Sequence, residues 1–163
     1  MEVVISERAY SSICLETMQR KNDKKETGGV LLGHIDDKKC YILENVLPGH
    51  LANRTIGSFE YDVEFVDYLA THLANLYYTK LDVVGIWHTH FDSIDIFSEP
   101  DRKMNRKFVE HYGHDIVSGI VLTDEKQIKL TMYNISLKEE KLANMRLGIN
   151  YIPEYYREYC REI

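Results

Sequence analysis

Two histidines lie two positions apart at the end of an apolar run that is rich in β-branched residues. His88 and His90 follow residues 81–87, whose composition predicts a buried strand. Because side chains at positions i and i+2 of a strand point to the same face, both imidazoles can reach one metal ion. Imidazole nitrogens bind zinc at about 2.0–2.1 Å. The pair therefore predicts two ligands of a metal site.

A third ligand is predicted at the start of the next helix. Residues 98–101 read Ser-Glu-Pro-Asp, which combines a helix N-cap, a proline in the first turn and an acid three residues after the cap. Asp101 therefore has a fixed position, and residues 91–97 are long enough to fold back over the strand end. Two histidines and one carboxylate are a known catalytic zinc set, in which the pKa of a bound water falls to about 7.

Hydrolysis of an amide also needs a group that moves protons, because the water loses a proton and the leaving amine gains one. Glu26 is the candidate for this general base. It stands directly before Thr27-Gly28-Gly29, at the start of an apolar strand. Glycines there allow another backbone to approach closely.

The elements that must position these residues form an α/β (α+β) pattern, with a mixed sheet flanked by helices. Alternating or continuous apolar runs predict the strands, and apolar residues at helical spacing predict the helices. The predicted strands are 2–5, 28–34, 40–47, 58–61, 81–87, 116–122 and 127–133. The predicted helices are 6–20, 62–78 and 98–111.

We predict one domain over residues 1–135, because a chain of 163 residues is long enough for a single core. Residues 136–163 form a charged, tyrosine-rich extension, which we predict to be helical and packed on the domain. Trp87 alternates with the two histidines and is predicted to face away from them into the core. Ile94, Ile96 and Phe97 are predicted to anchor their loop in the core, and a second hypothesis makes them an apolar wall for a substrate.

Composition excludes several classes of function. Acids outnumber bases by 26 to 20, and since nucleic-acid backbones are bound by clustered lysine and arginine, no nucleic-acid partner is expected. No apolar stretch reaches the roughly 18 residues that span a bilayer, and the N-terminus does not resemble a signal peptide, so no membrane association is expected. The three cysteines form no Cys-x-x-Cys pair, which favours a reducing cytoplasm.

Together, these motifs resemble the signature of the JAB/MPN metalloprotease family, also called the JAMM motif. That signature is a Glu near the start of a strand, then His-x-His, seven residues, and Ser-x-x-Asp. This chain has Glu26 before Gly28-Gly29, then His88-Thr89-His90, seven residues, and Ser98-Glu99-Pro100-Asp101. One departure is Phe91, since the family usually has proline directly after the second histidine. The change leaves the ligands untouched and alters the loop and the pocket wall.

The resemblance implies a role for each matching residue. His88, His90 and Asp101 would bind one Zn²⁺ per chain, together with a water or hydroxide. Glu26 would be the general base and then the general acid. Ser98 would hydrogen-bond the water or the developing oxyanion. The implied fold is a JAB/MPN-like domain with a cytidine deaminase-like architecture.

The compact chain is most similar to the prokaryotic JAB type, whose relatives accompany ubiquitin-like conjugation machinery, including the E1/E2-like enzymes of CBASS anti-phage operons. The resemblance implies an isopeptidase that cleaves the amide after the extended C-terminal tail of a ubiquitin-like or conjugated protein. Deconjugation or precursor processing in bacterial antiviral defence is the implied role. We expect the strand that begins at Gly28-Gly29 to offer the sheet edge to which such a tail adds.

Two alternatives stay open. A related enzyme would process a sulfur-carrier protein, which a neighbourhood of sulfur-transfer genes would favour. A non-catalytic MPN scaffold would bind partners without cleaving them. Such scaffolds usually lack the metal ligands, and this chain has all of them, so the scaffold ranks below the enzymes.

Overall fold

The computed structural model describes residues 1–77, 79–91, 94–123 and 127–148. The helices within these residues are α1 (Glu7–Arg20), α2 (Val63–Asn75) and α3 (Glu99–Tyr112). The strands are β1 (Glu2–Ser6), β2 (Gly28–Ile35), β3 (Lys39–Val46), β4 (Asn53–Arg54), β5 (Phe59–Glu60), β6 (Asp82–His90), β7 (Ile116–Thr123), β8 (Ile128–Ile135), β9 (Glu140–Leu142) and β10 (Met145–Gly148). None of these three helices has the length and apolar character that crossing a membrane requires.

Eight strands form one mixed sheet in the order β10-β1-β3-β2-β6-β7-β8-β9, and β4 and β5 form a separate two-stranded ribbon. This confirms the predicted α+β domain with a mixed sheet flanked by helices. Strand β2 lies inside the sheet and runs antiparallel to both β3 and β6. The expectation that this strand offers a sheet edge is therefore wrong, because β3 and β6 pair with its two sides.

In residues 136–148, the C-terminal extension differs from the predicted helix. In its described part, β9 pairs antiparallel with β8, and β10 pairs in parallel with β1, so the extension supplies both outer strands of the sheet. Both strands are short; β9 exposes all three of its side chains and β10 two of four. A short exposed strand has no apolar period from which it could be predicted. Residues 149–163, which include the tyrosine-rich tail, lie outside the described residues.

The sheet is covered on both faces, by α1 on one side and by α2 and α3 on the other. Alternation along β2 shows this division: Leu31 packs in the same core as Ile13 of α1, whereas Val30 and Leu32 pack in the core beneath α2. Side chains of a strand point alternately to its two faces, so a strand with two covered faces is apolar throughout. Six of the eight residues of β2 are accordingly buried.

A β-bulge in β6 determines to which face of the sheet the side chains of the following residues point. Leu31 of β2 lies opposite Gly85, and Leu32 lies opposite Val83, so that Val84 is an extra residue without a partner in β2. Two residues of β6 oppose one of β2 at this point. The alternation of side chains along β6 therefore starts anew at the bulge.

Beyond the bulge, the alternation separates the histidines from their neighbour. Ile86 belongs to the core on the α2 side, and Trp87 belongs to the core on the α1 side. His88 and His90 therefore share the face on which α2 and α3 lie. Trp87 faces away from them, as predicted; it is fully buried, and its Nε1 donates to Asn45 Oδ1 at 2.7 Å.

Candidate metal centre

The end of β6 brings two imidazoles together. His88 and His90 are both buried, and their Nε2 atoms lie 2.9 Å apart. The rings meet edge to face with a centroid distance of 4.7 Å. The i, i+2 spacing thus aims one nitrogen of each ring at the same point, as the sequence predicts.

A carbonyl of the following loop fixes the second histidine. His90 Nδ1 lies 2.8 Å from the carbonyl oxygen of Ile94. Since a carbonyl only accepts hydrogen bonds, Nδ1 carries the proton and donates it. When the ring is neutral, as metal binding requires, its lone pair is then on Nε2, which is the atom that faces His88 and Asp101.

Asp101 completes the group. Its Oδ1 lies 3.3 Å from His88 Nε2, and its Oδ2 lies 3.4 Å from His90 Nε2. Ligand atoms at about 2.0–2.1 Å from a tetrahedral zinc ion lie about 3.4 Å from one another. The two distances from Asp101 oxygens to imidazole nitrogens match this spacing. The distance of 2.9 Å between the two Nε2 atoms is somewhat shorter. Within the described residues, His88, His90 and Asp101 form a group whose donor atoms lie within 4.8 Å of one another and could hold a metal ion. Two imidazoles and a carboxylate suit zinc in type as well as spacing.

The helix cap holds the carboxylate of Asp101 in place. Ser98 donates to Asp101 Oδ2 twice, from its N–H at 2.7 Å and from its Oγ at 2.6 Å, and the N–H of Asp101 donates back to Ser98 Oγ at 3.4 Å. This is the predicted capping box of α3. Burial would raise the pKa of the Asp101 carboxyl, but the hydrogen bonds from His88, His90 and Ser98 outweigh it and hold that pKa far below its usual range. The ligand is therefore ionised.

In the described part of the loop between β6 and α3, Phe97 is the buried anchor. Phe97 is 2% exposed and packs against the rings of His88 and Tyr133, at centroid distances of 6.1 and 5.0 Å. Ile94 and Ile96 are 50% and 61% exposed. The prediction that all three residues anchor the loop is therefore right for Phe97 and wrong for the two isoleucines.

Asp95 ties the same loop to β8, a role that the sequence did not reveal. Its Oδ2 accepts from Lys129 Nζ at 2.7 Å and from Thr131 Oγ1 at 3.4 Å, and its carbonyl accepts from the Tyr133 hydroxyl. The hydrogen bond from Lys129 lowers the pKa of Asp95. Asp95 directly follows Ile94, so these bonds also place the carbonyl that orients His90. Its partners are distant in sequence, and no local pattern indicates them.

Glu26 lies beside the metal group. Its N–H donates to the carbonyl of Thr55 at 2.8 Å, and two residues later Gly28 pairs with His88. The half-buried Glu26 lines one cleft of about 730 Å³ together with His88, His90, Asp101 and Ser98. All five residues that the sequence singles out for chemistry thus line a single cleft.

Apolar residues form much of the rest of the cleft. One wall consists of residues 56–61, which include β5, and the other consists of α3 with the loop before it. Ile56 and Ile96, on opposite walls, are 75% and 61% exposed, and Met104 is 43% exposed. Phe91 also lines the cleft, so the departure from the usual proline lies in the wall and not among the ligands.

The geometry agrees with comparisons to known proteins. The solution structure of protein DSY2949 from Desulfitobacterium hafniense is similar with a TM-score of 0.61, covering 94% of this chain and 97% of that chain at 10% sequence identity. That likeness shows the fold alone. A comparison with curated proteins gives no match. A family profile described as prokaryotic homologs of the JAB domain matches residues 15–134, which include the complete motif from Glu26 to Asp101. Since this match spans most of the chain, the protein belongs to the prokaryotic JAB-domain family.

Proposed function

We propose that the chain is a zinc-dependent isopeptidase, which cleaves the amide after the extended C-terminal tail of a ubiquitin-like or conjugated protein. The observation that carries this proposal is the convergence of His88, His90, Asp101 and Glu26 on one cleft. The JAB family to which the chain belongs includes metalloproteases, and this chain has the residues that such chemistry requires.

Zinc held by the three side chains would supply Lewis-acid activation of a water molecule and of the scissile carbonyl. His90 is oriented for this task by the Ile94 carbonyl, and Asp101 by the cap of α3. Both ligands are therefore held before any metal binds, which lowers the cost of ordering the site.

Glu26 moves the proton in this proposal. Its carboxylate takes a proton from the attacking water and delivers it to the leaving amine nitrogen. The hydrogen bond from its N–H to Thr55 and the pairing of Gly28 with His88 hold its backbone next to the ligand strand. A glutamine at this position keeps the shape of the side chain and removes the base.

Ser98 has two tasks that compete for one hydroxyl group. In the structure its Oγ donates to Asp101 Oδ2. To stabilise the developing oxyanion, as the family resemblance implies, this hydroxyl would turn away from Asp101. The N–H of Ser98, at 2.7 Å, would continue to hold the carboxylate oxygen. Ser98 thus can serve the reaction without releasing the metal ligand.

The β4-β5 ribbon is the proposed docking edge for the substrate tail. Among the described residues, β5 pairs with β4 alone, and residues 56–61 line the cleft. A strand with one unpaired edge can take up an extended peptide by main-chain hydrogen bonds. Strand β5 therefore replaces β2 in this role, and the tail would run past Phe59 toward the metal ligands. Conjugates made by E1/E2-like enzymes are the proposed source of such tails.

Cleavage of a defined conjugate tests the proposal. The zinc-loaded protein is incubated with a ubiquitin-like protein whose C-terminal tail is joined to a lysine side chain or to a short fusion peptide, and the products are weighed by mass spectrometry. We expect a cut directly after the tail, loss of the cut with a chelator, and recovery when zinc is returned.

Two variants complete this experiment. Glu26→Gln should bind zinc like the wild type and cleave at least about a hundredfold more slowly, since general-base catalysis contributes roughly that much. Glu64→Gln makes the same chemical change on the exposed start of α2, outside the cleft, and should cleave normally. A zinc-replete wild type that cuts none of the conjugates, or a Glu26→Gln variant that cuts at the normal rate, would contradict the proposal.

A further inference from the structure

A buried ion pair lies behind the general base. Arg54 Nη2 donates to Glu16 Oε1 at 3.2 Å, and only 9% and 6% of the two side chains are exposed. Thr27 lies between them: its Oγ1 donates to the same Glu16 oxygen at 2.7 Å and accepts from Arg54 Nε at 3.3 Å. We call Glu16, Arg54 and Thr27 the buried triad.

The triad is bonded to the ligand strand. The N–H of Thr27 donates to Thr89 Oγ1 at 2.9 Å, and the N–H of Thr89 donates to the Thr27 carbonyl at 2.8 Å. Both threonines are fully buried. Thr89 stands between His88 and His90, so the triad contacts the backbone that carries both imidazoles.

The triad also borders the other side of Glu26. Arg54 directly precedes Thr55, whose carbonyl accepts from the N–H of Glu26. The guanidinium of Arg54 is fixed in turn by the carbonyls of Gly49 and Ala52, at 3.1 and 3.3 Å. The peptide groups on both sides of Glu26 are thus bonded to Thr89 and to Thr55, which directly follows Arg54.

The free-energy cost of burying the Glu16–Arg54 ion pair indicates that the pair has a role other than stabilising the fold. Removing two charges from water costs several kcal/mol for each ion, and a buried ion pair often stabilises a fold no more than apolar residues of similar size would. The nearby apolar core already joins α1 to the sheet through Ala9 and Ile13. Directional bonds, however, fix a backbone position more sharply than apolar contacts can.

We infer that Glu16 and Arg54 are positioning residues for the general base: through Thr27 they set the place of Glu26 relative to the metal ligands. This inference rests on the proposed function. It requires that loss of the triad slows the chemical step while metal binding and substrate binding persist.

A matched pair of variants separates positioning from stability. Glu16→Gln removes the negative charge of the triad and leaves the positive charge of Arg54. Glu44→Gln removes the charge of a comparable buried carboxylate, whose Oε1 accepts from Arg8 and from the Tyr77 hydroxyl, both away from the cleft. The two glutamates have side-chain exposures of 6% and 7%. Glu16→Gln should lose more stability, because Arg54 stays buried without its partner, whereas Arg8, the partner of Glu44, is 74% exposed. Turnover is therefore compared at a temperature at which both variants are fully folded, and only Glu16→Gln should lose it.

The expected result is a split between kcat and the binding constants. In Glu16→Gln we expect kcat to fall by about tenfold to a hundredfold, with KM and zinc affinity within about threefold of wild type, because misplacement by about an ångström has effects of this size. Thr27→Val should show the same loss, and Thr27→Ser, which keeps the hydroxyl, should restore most of the turnover. Equal kcat in Glu16→Gln and Glu44→Gln, or equal loss in Thr27→Val and Thr27→Ser, would overturn the inference.

Amide hydrogen exchange decides the inference if the wild type binds zinc but cleaves nothing, an outcome that contradicts the proposed function alone. The N–H of Thr89 donates to the carbonyl of Thr27, a member of the triad, and the N–H of Glu26 donates to the carbonyl of Thr55, which directly follows Arg54. Their amides should exchange at least about tenfold faster in Thr27→Val than in Thr27→Ser at equal global stability, since local opening then costs less. Unchanged exchange would overturn the inference independently of activity.

Discussion

The backbone N–H of Thr89 donates to the carbonyl of Thr27 at 2.8 Å. Thr89 separates the two histidines of the metal group, and Thr27 directly follows Glu26, so one hydrogen bond joins the base segment to the ligand strand. The next pair in the ladder, Gly28 and His88, continues this contact. The pairing of β2 with β6 therefore assembles a site from residues that are far apart in sequence.

Loss of the hydroxyl of Ser98 should affect both the helix and the metal site. Ser98→Ala removes an N-cap, which costs about 1 kcal/mol of stability, and removes one of two bonds to Asp101 Oδ2. We expect zinc affinity to fall by about tenfold, the usual effect of losing a partner of a metal ligand. Competition with a chromogenic chelator measures this change.

Ser6→Ala is the control for that experiment. Ser6 is the N-cap of α1: its Oγ accepts from the N–H of Ala9 at 3.0 Å and donates to the Leu43 carbonyl at 2.8 Å, away from the metal group. Its loss should lower the free energy of unfolding by a similar amount and leave zinc affinity unchanged. If both variants bind zinc equally well, Ser98 serves the helix alone.

Asp95 should support metal binding from outside the ligand set. Asp95→Asn breaks the ion pair with Lys129 and loosens the loop whose Ile94 carbonyl orients His90. We expect zinc affinity to fall by about threefold to tenfold, less than for a residue in direct contact with a ligand. Glu2→Gln breaks a similarly exposed ion pair, with Arg146 on the far edge of the sheet, and should leave zinc affinity unchanged. Equal affinities of the two variants would count against the role of Asp95.

The ion pair between Asp95 and Lys129 should make the stability of the fold depend on pH. The hydrogen bond from Lys129 lowers the pKa of Asp95 in the folded state. A lowered carboxyl pKa contributes stability above the unfolded value of about 4, and this contribution is lost as pH falls through the folded-state pKa. Without metal, the difference in melting temperature between wild type and Asp95→Asn should be present at about pH 7 and shrink progressively as the pH falls below about 4. A difference that stays constant across this range would contradict the assignment.

Gly28 should tolerate no side chain. A Cβ at this position would lie 2.3 Å from the Trp87 carbonyl oxygen and 2.3 Å from the ring of Phe59. Gly28→Ala should therefore push β2 away from β6 or displace the ribbon, at a cost of about 1–3 kcal/mol. Gly57→Ala, in the same ribbon, meets no atom within 4 Å and should melt close to the wild type. Equal melting temperatures of the two variants would contradict the tight pairing at Gly28.

Local patterns in the sequence predicted the elements that carry the site. Helical spacing and capping residues indicated α1, α2 and α3, including the cap that holds Asp101. A continuous apolar run indicated β6, because a strand that is buried on both faces has few polar residues. The placement of His88, His90 and Asp101 follows from these two elements and the length of the loop between them.

What the sequence did not predict depends on contacts between distant segments. Strands β9 and β10 are short and exposed, and they form because β8 and β1 offer unpaired edges. The interior position of β2 depends on its pairing with β6, which no local pattern encodes. The buried pair of Glu16 and Arg54 looks in the sequence like two ordinary surface charges, since burial of charge is rare and is decided by tertiary packing.

Anomalous X-ray scattering at the zinc edge tests the central claim most directly. Crystals grown with equimolar zinc should show one peak per chain, at about 2.0–2.2 Å from His88 Nε2, His90 Nε2 and an oxygen of Asp101, with the carboxylate of Glu26 facing the open side of the ion. Crystals of Asp101→Asn should show a weaker peak or none. A wild-type structure without this peak, or with zinc bound elsewhere, would contradict the account.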